Sequence, residues 1–251
     1  MHKLSTVIIT LNEEKRIRQT LESVKWCDEI IVVDSGSTDK TLEICKEYSN
    51  CKVYSQVFLG FGPQKKFAVG KASHDWILAI DADEVVTNAL TDEICGILSL
   101  PVIANTGFFI PITHIFMKRI FNHGAESKQP HLRFFNKQNG NFNTLKLHEG
   151  VEISGSQSYL KNEILHYSYT DIYHYFQKFN DYSETFKNEA GKNGKKAGKL
   201  MPVFRLPLEF LKQYFVRGNF MNGYPGLVWS LYSAFYIFVK YTKLYESNLK
   251  K

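Results

Sequence analysis

The stretch at 76–84, WILAIDADE, decides the fold of this 251-residue chain: five mostly apolar residues run straight into carboxylates at positions 81, 83 and 84. An apolar run of that length reads as a buried strand. Carboxylates are rarely left in a core unless they are paired or bind a metal. Asp81 and Asp83 are therefore expected to emerge where the strand ends, which raises the question of what they hold.

The same pattern repeats upstream. Residues 4–11, LSTVIITL, form an apolar strand, and NEEKRIRQTLESV follows as a helix, with Asn12 at its N-cap and Ile17, Leu21 and Val24 on one face. EIIVVDSGSTDKT gives a second strand through Ile30–Val33, a polar turn and another helix. CKVYSQV is a third short strand, FGPQKKFAVGKA a loop leading into a helix, and WILAI the fourth strand. A helix capped by Thr87 or Asn88 follows at about 88–99. Strand–helix alternation over the first hundred or so residues predicts an α/β fold with a Rossmann-like, mostly parallel sheet flanked by helices. Ligands of such sheets bind beyond the carboxyl ends of the strands. That rule sets Thr10, Asn12 and Glu14, then Asp34, then Asp81 and Asp83 along one rim. The competing reading of Asn12, Asp34 and Ser37 is that they only cap helices.

After Pro101 the pattern changes. TGFFIPITHI, PHLRFFNK and NEILHYSY look like strands joined by polar loops, and from Thr170 onward three helices are expected, at 171–189, about 200–217 and about 226–245. The predicted division is a main domain over 1–170, made of two halves (1–100 and 101–170), with a helical region over 171–251.

Bulk properties narrow the class. Hydrophobic residues at 44% and charged residues at 22% describe a folded chain. Cys27, Cys45, Cys51 and Cys95 form no CxxC pair, so neither a thiol redox centre nor a zinc knuckle is suggested, and reduced cysteines in a cytosolic compartment are expected. MHKLSTVIIT contains no long apolar run ending in a cleavage site, so no signal peptide is expected. The formal charge is +6, and residues 187–217 carry eight Lys or Arg against two Glu. That tract precedes an aromatic, apolar segment, which favours an anionic membrane surface over nucleic acid, for which no motif is present.

The first strand is followed by neither GxGxxG nor GKS/GKT, so the dinucleotide fingerprint and the P-loop are both absent. The rim nevertheless gathers acids where a nucleotide would sit. Carboxylates repel phosphate, and a divalent ion, Mg²⁺ or Mn²⁺, is the natural intermediary, held by one or two carboxylates and the phosphates themselves. Such an ion stabilises charge on a departing diphosphate. This chemistry selects transfer of a group from a nucleoside diphosphate, with one of Asp81 and Asp83 on the ion and the other on a ribose hydroxyl or metal-bound water.

STVIITLNEEKRI, IIVVDSGSTDKT and WILAIDADE together resemble the inverting glycosyltransferases of family 2, which share the GT-A fold. More narrowly, DSGSTDKT, QKKFAVGKASHDWILAIDADE, LRFF and LHEGV resemble the small bacterial enzymes that add a glucose or similar sugar to the lipopolysaccharide inner core. The resemblance runs from Leu4 to about Leu244. It implies a nucleotide-sugar donor, a divalent metal and a lipid-linked saccharide acceptor. It implies that Thr10, Asn12 and Glu14 line the nucleoside and that Asp34 is the acid ending the second strand. The common family pattern has a second acid next, and here that position is Ser35, which weakens any claim that the base is uracil. Asp81 and Asp83 match the DxD motif, with Asp83 as the direct metal ligand.

Family resemblance also makes Glu149, in KLHEGV, the base that deprotonates the acceptor, with Glu84 as runner-up. His148 adjoins Glu149 and is expected to orient the acceptor. His166 is either a late metal ligand or a strand histidine with a satisfied ring. Arg133 is a candidate partner for phosphate, as are Lys65 and Lys66.

Between Arg217 and Lys240 lie 22 uncharged residues, GNFMNGYPGLVWSLYSAFYIFV. A spanning helix needs about 20 predominantly apolar residues, and Asn219, Asn222, Gly223 and Pro225 interrupt this one. The expectation is an in-plane helix at the membrane interface, its alternative a helix packed on the catalytic domain or a second subunit. A peripheral enzyme on the inner face of the cytoplasmic membrane follows. The rival functions are a catalytically inactive nucleotide-sugar-binding protein and a nucleotidyltransferase. Donor base, sugar, linkage and oligomeric state are left open.

Overall fold

The computed structural model describes residues 2–145, 149–192 and 194–249. Within these the chain forms two compact units, residues 1–113 with 128–167, and residues 114–127 with 168–251.

The first unit is built on β1 (Leu4–Thr10), β2 (Glu29–Asp34), β3 (Cys51–Ser55) and β4 (Trp76–Asp81), separated by α1 (Ile17–Val24), α2 (Thr41–Cys45) and α3 (Phe61–Lys71). The four strands pair in parallel in the order β3-β2-β1-β4. Their side chains alternate between two cores, as a strand period of two requires. Ile30 and Val32 of β2, with Trp76, Leu78 and Ile80 of β4, join the core beneath α1. Ile31, Val33, Ile77 and Ala79 join Ala68 and Val69 of α3 in the other. Apolar runs without alternation are what a sheet covered on both faces demands.

Beyond β4 come β5 (Glu84–Val86), α4 (Asn88–Leu98), β6 (Gly107–Phe116), β7 (Arg119–Ile120), β8 (Gln129–Asn136), β9 (Gly140–Phe142), β10 (Val151–Ile153), β11 (Gln157–Tyr159) and β12 (Ile164–His166). The sheet continues β4-β8-β6-β12-β5, with β8 antiparallel to both β4 and β6 and β12 antiparallel to β5. β9 and β10 form a separate antiparallel pair. Thr87 caps α4, its side chain accepting from the Leu90 N–H.

Asn12 does not cap a helix. It sits at φ 55° in the turn after β1, and α1 begins only at Ile17, with no side-chain cap. The segment read as a loop before α3 is already helical from Phe61.

The second unit packs α5 (Ile172–Lys192), α6 (Met201–Leu211), a π-helical turn at Lys212–Val216, a 3₁₀ turn at Asn219–Asn222 and α7 (Tyr224–Leu249). Its core is aromatic: Phe116, Phe121, Tyr175, Phe179 and Trp229 pack with Val228. Trp229 meets Phe116 and Phe121 edge-on, with centroids 5.1 and 5.7 Å apart. The charge-free segment expected at a membrane interface therefore gives Val228, Trp229 and Ala234 to the protein interior. No helix among the described residues is long and apolar enough to cross a membrane.

Candidate active site

β1 lies between β2 and β4, and α1 and α3 cover opposite faces of the sheet, an arrangement whose ligands bind beyond the carboxyl ends of the strands. Register aligns the candidate residues at that level: Thr10 pairs with Asp34, and Ile9 with Asp81.

The loops after β1 and β2 are stitched together by polar side chains. The Asn12 Oδ1 accepts from the Thr38 N–H at 2.8 Å, and Glu14 Oε2 accepts from the Lys40 N–H at 3.1 Å. In return the Asn12 N–H donates to Ser37 Oγ and the Glu14 N–H to Asp39 Oδ2. Asp34 is buried, and its carboxylate accepts from the N–H groups of Gly36 and Ser37 and from Ser37 Oγ. Gly36, at φ 103°, supplies the left-handed backbone that this turn requires. Asn12, Glu14 and Asp34 thus hold the shape of the rim with the same oxygens expected to face a nucleoside.

Beside that rim lies a part-buried network of charge. Lys65 Nζ sits 2.9 Å from Asp81 Oδ1 and 2.9 Å from Glu149 Oε1, with a side chain only 5% exposed. Arg133 Nη2 lies 2.9 Å from Asp81 and 3.0 Å from Glu84. Three carboxylates and two cations interlock, which is how charges persist away from water. Burial pushes the Asp81 carboxyl up, but Lys65 and Arg133 outweigh it and hold it well below the ordinary carboxylate range. Burial wins at Glu84, whose carboxyl is raised despite Arg133, with the neighbouring Asp81 charge pushing the same way.

Glu84 is a brace. It is 1% exposed, and its carboxylate accepts from the Asp81 N–H at 2.8 Å as well as pairing with Arg133. Its expected role as alternative base is therefore corrected: its oxygens fix the DxD turn from within the core. Lys65 and Arg133 likewise meet carboxylates before any phosphate, whereas Lys66 is exposed.

Asp83 separates from this network. Its Oδ1 lies 3.3 Å from His166 Nε2, and its carbonyl accepts from the Tyr167 N–H. β12 brings His166 into place by pairing with β5, where His166 stands opposite Glu84. Burial lowers the His166 pKa, but the hydrogen bond and charge of Asp83, then the charges of Glu84 and Asp81, overcome it and the net shift is upward. Thr20 Oγ1 adds a tie from α1, donating to the Ala82 carbonyl at 2.7 Å.

Thr10 Oγ1, Gln64 Oε1 and Arg133 Nη1, all buried on elements of the rim, have no hydrogen-bond partner among the described residues. Buried groups are normally satisfied, so orphans clustered on rim elements mark a place for a polar ligand. Gln64 carries no signal in the sequence pattern. It is 1% exposed on α3, and its amide donates to Ser35 Oγ at 3.0 Å and to the Gln56 carbonyl at 3.1 Å. Nothing in an amphipathic pattern distinguishes it from a surface glutamine. His148 lies outside the described residues.

Among the described residues no three His, Cys, Asp or Glu side chains cluster as a ready metal site. The donor set that remains is the Asp83 carboxylate and the His166 imidazole. Asp81, expected to share the ion, is instead committed to Lys65 and Arg133. Two protein ligands suit an ion whose other positions are filled by diphosphate oxygens and water.

Comparison with known proteins agrees with this architecture. Residues 5–94 match the family model for glycosyl transferase family 2. The chain is 35% identical over 271 residues to an uncharacterised glycosyltransferase of Rickettsia typhi, covering 100% of this chain and 89% of the relative. It is 27% identical over 266 residues to the lipopolysaccharide core biosynthesis glycosyltransferase LpsC of Rhizobium meliloti, covering 99% and 94%. The fold is shared with the crystal structure of S. aureus TarS 1-349 in complex with UDP-GlcNAc, at a TM-score of 0.52 and 15% identity, covering 99% of this chain and 92% of that one. The chain is a GT-A-fold enzyme and belongs to glycosyltransferase family 2.

Proposed function

We propose that the enzyme is an inverting, metal-assisted transferase that moves a sugar from a nucleoside diphosphate to a lipid-linked saccharide at the cytoplasmic face of the inner membrane. The observation that carries this reading is the Lys65 bridge, which ties Asp81, at the end of the central donor strand, to Glu149. Similarity to the lipopolysaccharide core enzyme supports the acceptor class, and the UDP-GlcNAc complex of the TarS fold relative supports a nucleotide-sugar donor.

Asp83 and His166 would hold the divalent ion, which when bound supplies Lewis-acid stabilisation of the departing diphosphate. Arg133 Nη1 is an unspent donor for a diphosphate oxygen, and its Nη2 is fixed by Asp81 and Glu84, so the guanidinium is pre-oriented. Thr10 Oγ1 and Gln64 Oε1 offer polar contacts to the nucleoside. Glu149 accepts the proton of the acceptor hydroxyl as that oxygen bonds to the anomeric carbon. The bond from that carbon to the diphosphate breaks in the same displacement, which inverts the anomeric configuration. Lys65 holds the Glu149 carboxylate at a fixed distance from the donor strand until the acceptor arrives.

The test separates the two carboxylates kinetically. Glu149→Gln is expected to lower kcat by about a thousandfold while leaving donor affinity intact, and Asp83→Ala to weaken donor binding itself. An NMR assignment of the product's anomeric configuration checks the displacement. Retained configuration, or full turnover in Glu149→Gln, would refute the mechanism.

A further inference from the structure

α6 and the π-helical turn after it expose a continuous apolar stripe. Leu200, Phe204, Leu208, Leu211 and Phe215 recur at spacings of three and four residues, and each is between 48% and 64% exposed. Val203 widens the stripe, and Val216 extends it at 82% exposure. The opposite face of the same segment is the one that packs inward, through Pro202, Leu206, Phe210 and Gln213. A contiguous patch of large side chains is rarely left in water, so it marks a contact surface.

The surroundings of the stripe identify its partner. Lys195, Lys196, Lys199, Lys212 and Arg217 flank or interrupt it in sequence, all exposed. Arg205 lies on α6 itself and stacks on Tyr241. The one acid in residues 194–217 is Glu209, whose Oε1 accepts from Gln213. Apolar side chains with a basic border are the signature of a helix lying in the headgroup plane of an anionic bilayer, not of one crossing it. Two copies of this face would bring like charges together, which disfavours self-association.

We infer that the stripe on α6 and its π-helical extension is the membrane-docking element, inserting Phe204, Leu208, Leu211 and Phe215 among acyl chains while the flanking lysines meet anionic headgroups. This moves the contact away from the charge-free segment of α7, whose Val228 and Trp229 are core residues. The inference deepens the lipid-linked acceptor reading and rests on it only for its purpose, so the two are tested apart: sugar-free vesicles probe the surface, and turnover on a water-soluble acceptor fragment probes the acceptor.

The experiment is flotation of the full chain with phosphatidylcholine vesicles, with and without about 30% phosphatidylglycerol. Wild type is expected to float with the anionic vesicles and to be released by high salt. Phe204→Glu/Leu208→Glu should weaken that binding at least about tenfold, with circular dichroism and nucleotide affinity unchanged because both residues are exposed. Lys195→Gln/Lys196→Gln/Lys199→Gln should weaken it only on anionic vesicles. Equal binding by wild type and the glutamate variant would overturn the inference. So would no binding to either vesicle, or a solution dimer that dissociates in the glutamate variant.

Discussion

Glu29 shows how a single side chain can brace the strands beneath a site without touching it. At the start of β2 its carboxylate accepts from Ser5 Oγ, from the N–H and Oγ of Ser73, and from Lys52 Nζ. Burial alone would raise its pKa, but these partners outweigh burial and bring it from 4.5 to about 2. A carboxyl depressed in the folded state adds stability that is complete above the unfolded pKa and lost as the pH falls through the folded one. Glu29→Gln should therefore cost about 2 kcal/mol at neutral pH. It should also flatten the stability slope between pH 4.5 and about 2, measured by urea denaturation across that range. An unchanged slope would assign the acid sensitivity to other groups. The sequence made Asp81, Asp83 and Asp34 visible because each follows an apolar run, where a carboxylate is conspicuous. Glu29 and Gln64 precede a run or sit on a helix, where polar residues are ordinary and carry no signal.

Among elements, α3 matters most to the site because it carries Gln64 and Lys65 and also meets the backbone of residues 143–145. The Gly62 N–H donates to the Leu145 carbonyl at 3.1 Å, and a Cβ at Gly62 would stand 2.5 Å from the carbonyl oxygens of both Asn143 and Leu145. Backbone atoms cannot yield as a flexible side chain can. Gly62→Ala is predicted to displace residues 143–145 and lower turnover by about a hundredfold, since small misplacements of a catalytic group have effects of that size. Donor affinity should hold. Steady-state kinetics beside a nucleotide titration checks the split, and a loss of affinity equal to the loss of turnover would contradict it. β1, β2, β4 and the helices between them were legible from local patterning. β5 and β12 were not, since each has three residues and exists by pairing across about eighty positions of sequence. Asn12 misled for a related reason: a polar residue after a strand resembles a helix cap, and only the tertiary bond to the Thr38 N–H reveals its use.

At the scale of the whole molecule, two kinds of interior divide the work. The first unit is an aliphatic sheet core whose carboxyl-end rim collects charge, and the second is an aromatic core of helices joined by residues 114–127. Nothing in the local pattern of 114–127 announces that partnership, because Phe116 and Phe121 look like strand residues until Trp229 is set against them. The charge-free stretch of α7 resembles an interface helix because aromatic residues favour both membrane surfaces and protein interiors, and composition alone cannot choose between them. The central claim is that the rim binds a nucleoside diphosphate through a divalent ion held by Asp83 and His166. Its most direct test is calorimetric titration of the full chain with UDP, GDP, ADP and dTDP sugars, with and without Mn²⁺, in wild type, Asp83→Ala, His166→Ala and Glu149→Gln. One donor should bind tightly only with metal, lose that binding in Asp83→Ala and His166→Ala, and keep it in Glu149→Gln. Binding that ignores both the metal and Asp83 would contradict the claim.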